Sequence, residues 1–414
     1  MRIITKARPE SVEEKRGACG YCGFFRKGFH PPAILAAMTH PLQVAQTNIP
    51  HGFIDLGAGE PQLDLLPLDM LREAALQRFN ANDREFLQYG VEQGDGYFRA
   101  ALAEFLSPRY GLKVSHEDLF VTTGNSSALD LICTLYTRPG DTVLVEEPTY
   151  FLALRIFADH DLRVVPIRTD EAGLDMDELV HALGESSPKF IYIIPSFQNP
   201  SGHTLSPERR RQLIALAQQH GFLIVADEVY QFLGYTETPP PSFGTQIESG
   251  QVISLGSFSK ILAPGLRLGW MHTHASIVQK AVACGLLDSA GGLNPFTSAI
   301  VRSLIERGDL EKNIVSLKSE LGHRMRVMDE AIKTHLPQAR YVSPRGGYFF
   351  WLQIPGIDAQ ELQQKAKEFQ VGLRPGVRFS SRNELKDFMR LSISHYGAAD
   401  IEEGVRRLRR CIES

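Results

Sequence analysis

The chain has 414 residues, 43% of them hydrophobic and 22% charged, an ordinary composition for a globular protein with length enough for two or three domains. Lys and Arg number 44 against 48 Asp and Glu, for a formal net charge of -4, which gives no reason to expect nucleic acid as a partner. No stretch reaches the length of a membrane-spanning helix, and the charged N-terminus "MRIITKARPESVEEKRG" lacks the apolar core of a signal peptide, so a cytoplasmic protein without membrane partners is expected.

Residues 1–50 read as an irregular leader with one short helical piece, "PAILAAM". Its Cys19 and Cys22 have CxxC spacing, but no second pair follows and His30 is the only histidine nearby, so no metal is expected. The remaining cysteines are Cys133, Cys284 and Cys411, an odd and sparse set that argues against a disulfide framework. Tyr21, Phe24, Phe25 and Phe29 suit a hydrophobic staple, or the lining of an apolar pocket.

From about residue 118 strands and helices alternate. Strands are expected at 118–124, 139–148, 162–167, 189–195, 222–228, 251–257 and 267–273, with helices at 126–136, 149–160, 175–183 and 206–221. The last helix carries its own punctuation: Ser206 as N-cap, Pro207 in the first turn and Gly221 past the end. Several strands are apolar almost throughout, as in a parallel sheet covered on both faces. Residues 295–335 have the period of a long helix or helix pair. Strands at 346–354 and 388–396 around a helix at 358–370 then describe a smaller α+β part.

In a parallel sheet ligands gather at the carboxyl ends of the strands, so the polar residues there matter most. After the first strand come Gly124, Asn125, Ser126 and Ser127 at a helix start, suited either to hold an anion or simply to cap the helix. "SFQNPSG" puts Asn199 at the sheet mouth, where Asn-Pro is also an ordinary turn. "FLIVADEVY" closes an apolar strand with Asp227, costly to bury without a partner unless it caps the next helix, and places Tyr230 three residues on. "SLGSFSKILAPGLRLGW" holds one lysine, Lys260, among hydroxyls and apolar residues, with Ser257 before it and Arg267 seven residues later. Desolvation lowers the pKa of such an amine and makes it a nucleophile, whereas a solvated loop lysine would do nothing. One cofactor uses this whole set: pyridoxal 5'-phosphate, whose aldehyde takes a lysine, whose ring nitrogen takes a carboxylate, and whose phosphate takes amides, hydroxyls and a cation.

With these motifs, and with "IDLGAGEPQLDLLP", "LQYGVEQGDGYFRAALAEFL", "PGDTVLVEEPTY" and "GGYFFWL", the chain resembles the class I/II aminotransferases, the fold-type I pyridoxal-phosphate enzymes. It is most similar to the branch with 2-aminoadipate, kynurenine, aromatic and branched-chain amino-acid aminotransferases. The resemblance implies an α/β fold: a mostly parallel, seven-stranded-type sheet in a large domain (61–300), a small α+β domain (301–414), and an N-terminal segment (1–60) packing on the small domain and the substrate entrance. It implies that Lys260 holds the cofactor and shuttles the Cα proton, that Asp227 pairs with the ring nitrogen, and that Tyr230 and Asn199 bond the ring 3'-oxygen. Tyr150 stacks on the ring. Asn125, Ser126, Ser257 and Arg267 hold the phosphate, and Tyr89 reaches the phosphate of a neighbouring subunit in a homodimer with shared sites. Arg390 forks the substrate α-carboxylate, and the backbone at Ala58 and Gly59 lines the substrate pocket.

Ser126 and Ser127 depart from a pair of glutamines common in close relatives. The implied reaction is transfer of an amino group from an aromatic, branched-chain or 2-aminoadipate-like L-amino acid to a 2-oxo acid such as 2-oxoglutarate or pyruvate. A β-lyase, decarboxylase or synthase on the same residues is the alternative, since fold does not fix reaction. A non-catalytic regulator with a winged-helix module is disfavoured, because only about fifty residues precede the resemblance.

Overall fold

A computed structural model describes residues 45–414. The Cys19/Cys22 pair, "PAILAAM" and the aromatics Tyr21, Phe24, Phe25 and Phe29 lie outside the described residues. The chain divides after Asn48, and the elements that follow all belong to Ile49–Ser414.

After a short strand β1 (Ile54–Asp55) come β2 (Leu119–Thr122), β3 (Thr142–Glu147), β4 (Arg163–Asp170), β5 (Gly173–Leu174), β6 (Phe190–Ile193), β7 (Leu223–Asp227), β8 (Val252–Ser257) and β9 (Gly269–Thr273). Strands β2 to β9 form one eight-stranded sheet in the order β2-β9-β8-β7-β6-β3-β4-β5. From β4 across to β8 every pairing is parallel. β9 runs antiparallel to both β8 and β2, so β2 points the same way as the parallel block. The expected strands are all here, and the two-residue β5 adds a hairpin edge to β4.

Alternation explains why these strands carry no polar period. Val143, Val145, Phe190, Tyr192, Val225, Ile253 and Leu255 join one apolar cluster. Leu144, Ile191, Ile193, Ile224, Ala226 and Val252 join another on the opposite face. Helices Asn125–Tyr136, Phe151–Asp159, Met176–Glu185 and Pro207–His220 fall where the sequence puts them. Ser206 caps the last of these by accepting the Arg209 N–H at 3.3 Å, and Gly221 ends it at φ 75°.

The 295–335 stretch is a helix pair, Pro295–Glu306 and Asp309–His335, broken at Gly308, whose φ is 70°. Beyond it β10 (Phe349–Gln353), β12 (Arg374–Pro375) and β13 (Phe388–Ser392) form an antiparallel sheet in the order β10-β13-β12, while β11 (Val371–Gly372) pairs in parallel with β1. Both long strands are shorter than expected. The helix expected at 358–370 covers Ala359–Lys365 and then turns. Helices Leu68–Asn80, Gly96–Tyr110, Ala275–Val282, Gly285–Ala290 and Ala398–Glu413 were not expected. No helix among the described residues is long and apolar enough to cross a membrane.

Candidate active site

The carboxyl ends of β2, β8, β7, β6 and β3 open on one edge of the sheet, and the singled-out residues follow those ends. Asp227 is the last residue of β7 and is buried. No helix follows it, so it caps nothing. Its Oδ1 accepts from Asn125 Nδ2 at 2.6 Å, and its Oδ2 accepts from the Tyr192 hydroxyl at 2.8 Å. Both partners are neutral. Burial therefore pushes its carboxyl above the ordinary range, against the pull of those two bonds.

Lys260 stands in the turn after β8, partly buried, and its Nζ donates to the Gly59 carbonyl at 3.0 Å. The Tyr348 ring lies 5.2 Å from Nζ, and the Tyr348 hydroxyl donates to the Lys260 carbonyl at 3.2 Å. Burial first, then the nearby Arg390 charge, lower its pKa to about 8. Free lysine at 10.5 is about one part in three thousand neutral at pH 7, whereas an amine at about 8 is close to one part in ten. The rate at which cofactor-free protein captures pyridoxal phosphate should therefore rise about tenfold between pH 6 and 7 and level off above 8. Stopped-flow absorption checks this; a rate still climbing at pH 10 would mean an ordinary solvated lysine.

The helix start at the end of β2 is capped by no side chain: its N-cap is Gly124, at φ 92°. Asn125 spends its side-chain amide on Asp227, and its Oδ1 is buried without a partner. Ser126 is exposed and Ser127 partly so. A Cβ on Gly124 would sit 2.6 Å from Arg267 Nη2, so glycine lets the guanidinium approach this helix end. Arg267 itself adopts a left-handed φ of 46°; its Nη2 donates to Thr123 O at 3.1 Å and its Nη1 to Ser259 Oγ at 3.4 Å. Ser259 Oγ accepts in turn from the buried Ser257 hydroxyl at 3.0 Å. Amides, hydroxyls and one cation thus meet at one helix end, the donor set a phosphate needs.

Arg390, on β13, is buried. Its Nη1 donates to Asn199 Oδ1 at 2.9 Å and its Nη2 to the Gly57 carbonyl at 2.8 Å, while Nε is buried and unpartnered. The guanidinium lies 4.0 Å from the Phe349 ring centre and 5.0 Å from that of Phe379. No carboxylate pairs with it among the described residues, and burial lowers its pKa to about 10. Gly59 completes this wall: a Cβ there would meet Phe349 at 3.3 Å and Arg390 Nη2 at 3.4 Å. Ala58 beside it is buried.

Tyr150, at the start of the helix after β3, feels the charges of Asp227, Arg390 and Arg267, and its pKa is pushed up to about 12, chiefly by burial. Tyr230 is buried against Tyr348 and Phe349, and its hydroxyl takes no hydrogen bond among the described residues. Tyr89 is 85% exposed and joins none of these groups within its own chain. The sequence reading missed Tyr192, and placed Ser259 beside Lys260 without giving it a role. Tyr192 is hidden as one more aromatic in an apolar strand; Ser259, two residues from Ser257 in "SFSK", was in plain view.

These residues fit pyridoxal phosphate on observations independent of any relative. A buried carboxylate accepts from neutral side chains, a lysine that feels its charge is partly desolvated, and an arginine stands against a helix end capped by no side chain.

The aminotransferase class I and II family matches residues 51–408. An aromatic-amino-acid aminotransferase of Thermococcus litoralis is 34% identical over 87% of this chain and 88% of its own. The structure of a Pyrococcus horikoshii kynurenine aminotransferase in complex with PMP superposes with a TM-score of 0.83 at 32% identity, covering 87% of this chain and 91% of that one. The α-aminoadipate aminotransferase LysN of Thermus thermophilus, complexed with N-(5'-phosphopyridoxyl)-L-leucine, does so with 0.80 at 30% identity over 88% and 92%. The match runs through every strand end that carries one of the residues above, and the chain therefore belongs to the class I and II aminotransferases, as a pyridoxal-phosphate-dependent transaminase of fold type I.

Proposed function

We propose that this transaminase takes its amino group from an L-amino acid with an aromatic, branched or 2-aminoadipate-like side chain and passes it to a 2-oxo acid such as 2-oxoglutarate or pyruvate. The observation that carries the reading is Arg390: a buried cation, close enough to lower the Lys260 pKa, with no carboxylate partner among the described residues. An α-carboxylate would supply the missing charge as a fork. The printed names of the Thermococcus, Pyrococcus and Thermus relatives support the donor class.

Bound pyridoxal phosphate supplies an electron sink for charge developing at the substrate Cα. The chain does the rest. Asp227 would hold the proton on the ring nitrogen, and Asn125 and Tyr192 hold Asp227. Tyr230, and Asn199 through the Nδ2 it does not spend on Arg390, would hold the ring oxygen, and Tyr150 would cover the ring. Ser257, Arg267 and the amides at Asn125 and Ser126 would take the phosphate. Arg390 fixes the substrate so that Cα faces Lys260, backed by Gly59 and Ala58. Neutral Lys260 would be the base that takes and holds the proton from Cα.

The same reading makes the protein a cytoplasmic homodimer. Leu87, Tyr89, Leu286 and Phe296 are exposed by 63%, 85%, 63% and 43%, and the Gly90–Gly292 bridge brings their segments together. An apolar surface of that kind marks an interface, from which Tyr89 would reach the partner's phosphate. Sedimentation as a single-chain particle at micromolar concentration would refute it. Separate sheets before and after residue 300 support a large domain at 61–300 and a small one at 301–414, and the β1–β11 pair ties the end of the 1–60 segment to the latter; limited proteolysis near 300 tests that boundary.

The donor test is an absorption titration of the loaded enzyme with single L-amino acids and no oxo acid. The expected result is loss of the yellow band with one equivalent of oxo acid released. Continuous formation of pyruvate, ammonia or carbon dioxide would instead establish lyase or decarboxylase chemistry.

A further inference from the structure

Two arginines face each other in the small sheet. Arg374 on β12 stands directly opposite Arg390 on β13, so both side chains leave the same face. Like charges so placed repel, and the Arg374 charge contributes to lowering the Arg390 pKa. They differ in company. Arg390 has carbonyl and amide partners only. Arg374 forks onto Asp55 of β1, its Nη1 to Oδ1 at 3.1 Å and its Nη2 to Oδ2 at 3.0 Å. Asp55 Oδ1 also accepts the Gly57 N–H at 2.9 Å, and the Asp55 N–H donates to the Tyr396 hydroxyl at 2.9 Å.

Gly57 therefore sits inside this network. A Cβ on it would lie 2.8 Å from both Cγ and Nη1 of Arg374. One side of its backbone rests on the fork, its N–H is tied to Asp55, and its carbonyl points at Arg390 Nη2, 2.8 Å away. We infer that Asp55 and Arg374 are positioning residues for Arg390: the fork fixes the Gly57 carbonyl that orients the guanidinium, and Asp55 cancels the charge standing opposite it. Resting on the reading of Arg390 as the α-carboxylate anchor, this makes Arg390 the one unneutralised cation of the pair. An incoming carboxylate then chooses Arg390 over Arg374.

The test compares Asp55→Asn, Arg374→Lys, Arg390→Ala and the parent as loaded enzymes. It reads KM and kcat for the amino donor, calorimetric binding of 3-phenylpropanoate and of its amide, and Tm. Asp55→Asn should raise KM and the carboxylate Kd about tenfold, with kcat within about twofold. Binding of the uncharged amide should not change. Arg374→Lys keeps the charge and loses the fork, so it should fall between. A Tm drop with KM and carboxylate affinity unchanged in both variants would reduce the fork to a tie between β1 and β12 and overturn the inference. If Arg390→Ala leaves KM and the carboxylate Kd unchanged, the anchor reading itself fails and takes this one with it. Weakening in Arg390→Ala but in neither fork variant sinks the positioning role alone. If Asp55→Asn does not fold, Arg374→Lys decides by the same readouts.

Discussion

Lys260→Ala should lower kcat by at least about 10⁴-fold while the protein folds as before. The expectation follows from where the amine stands. Its single hydrogen bond among the described residues is to the Gly59 carbonyl, which neither takes nor gives a proton, so it orients the amine without consuming its basicity. Its pKa near 8 leaves a useful neutral fraction at physiological pH. Among the described residues no other base is placed to take over: Arg390, at about 10, keeps its proton at pH 7, and Asp227 is engaged by Asn125 and Tyr192. Lys260→Arg should be equally inactive, since a guanidinium keeps the charge and holds its proton far more tightly than an amine. A small exogenous amine such as methylamine should restore part of the proton-transfer rate in Lys260→Ala and none in Lys260→Arg, where the cavity is filled. Single-turnover absorption measures each case. Loss of less than tenfold in Lys260→Ala would remove this residue from the chemistry.

Much of this site could be read in the sequence because a covered parallel sheet writes its strands plainly. Residues buried on both faces leave runs such as "FLIVAD" with no polar position until the strand ends, so the first polar residue after each run marks the sheet mouth. That logic found Asn125, Asn199, Asp227 and Lys260. It fails for polar groups inside a strand: Tyr192 reads as one more apolar residue, and only the register that sets β6 beside β7 puts its hydroxyl on Asp227. It also fails across distance. Asp55 and Arg374 are 319 positions apart, and no local pattern joins a two-residue strand to a two-residue strand. The terminal helix is a different case. Ile401, Val405, Leu408 and Cys411 are buried at helical spacing, a signal that was present and simply outweighed by the arginines and glutamates between them.

Asp227→Asn should reduce kcat about 10²–10³-fold yet leave the cofactor bound and make the cofactor-free protein more stable. The two effects have one cause. In the cofactor-free protein the carboxylate is buried with neutral partners, which raises its pKa. An acid whose folded pKa is raised binds more protons folded than unfolded, so its contribution is fully present at low pH and is lost as pH rises through the folded value. At neutral pH the charge is therefore a cost to the empty protein, and asparagine removes it. A protonated ring nitrogen offsets the same cost in the loaded enzyme, which is why the cofactor's stabilising effect should be smaller in the variant. Asparagine can still donate to an unprotonated ring nitrogen, so binding survives while the electron sink is weakened. Thermal denaturation of empty and loaded forms between pH 5 and 9, set beside kcat, measures both effects. A variant that loses activity and also destabilises the empty protein at pH 8 would mean that Asp227 holds the fold through Asn125 and Tyr192 rather than waiting for a cation.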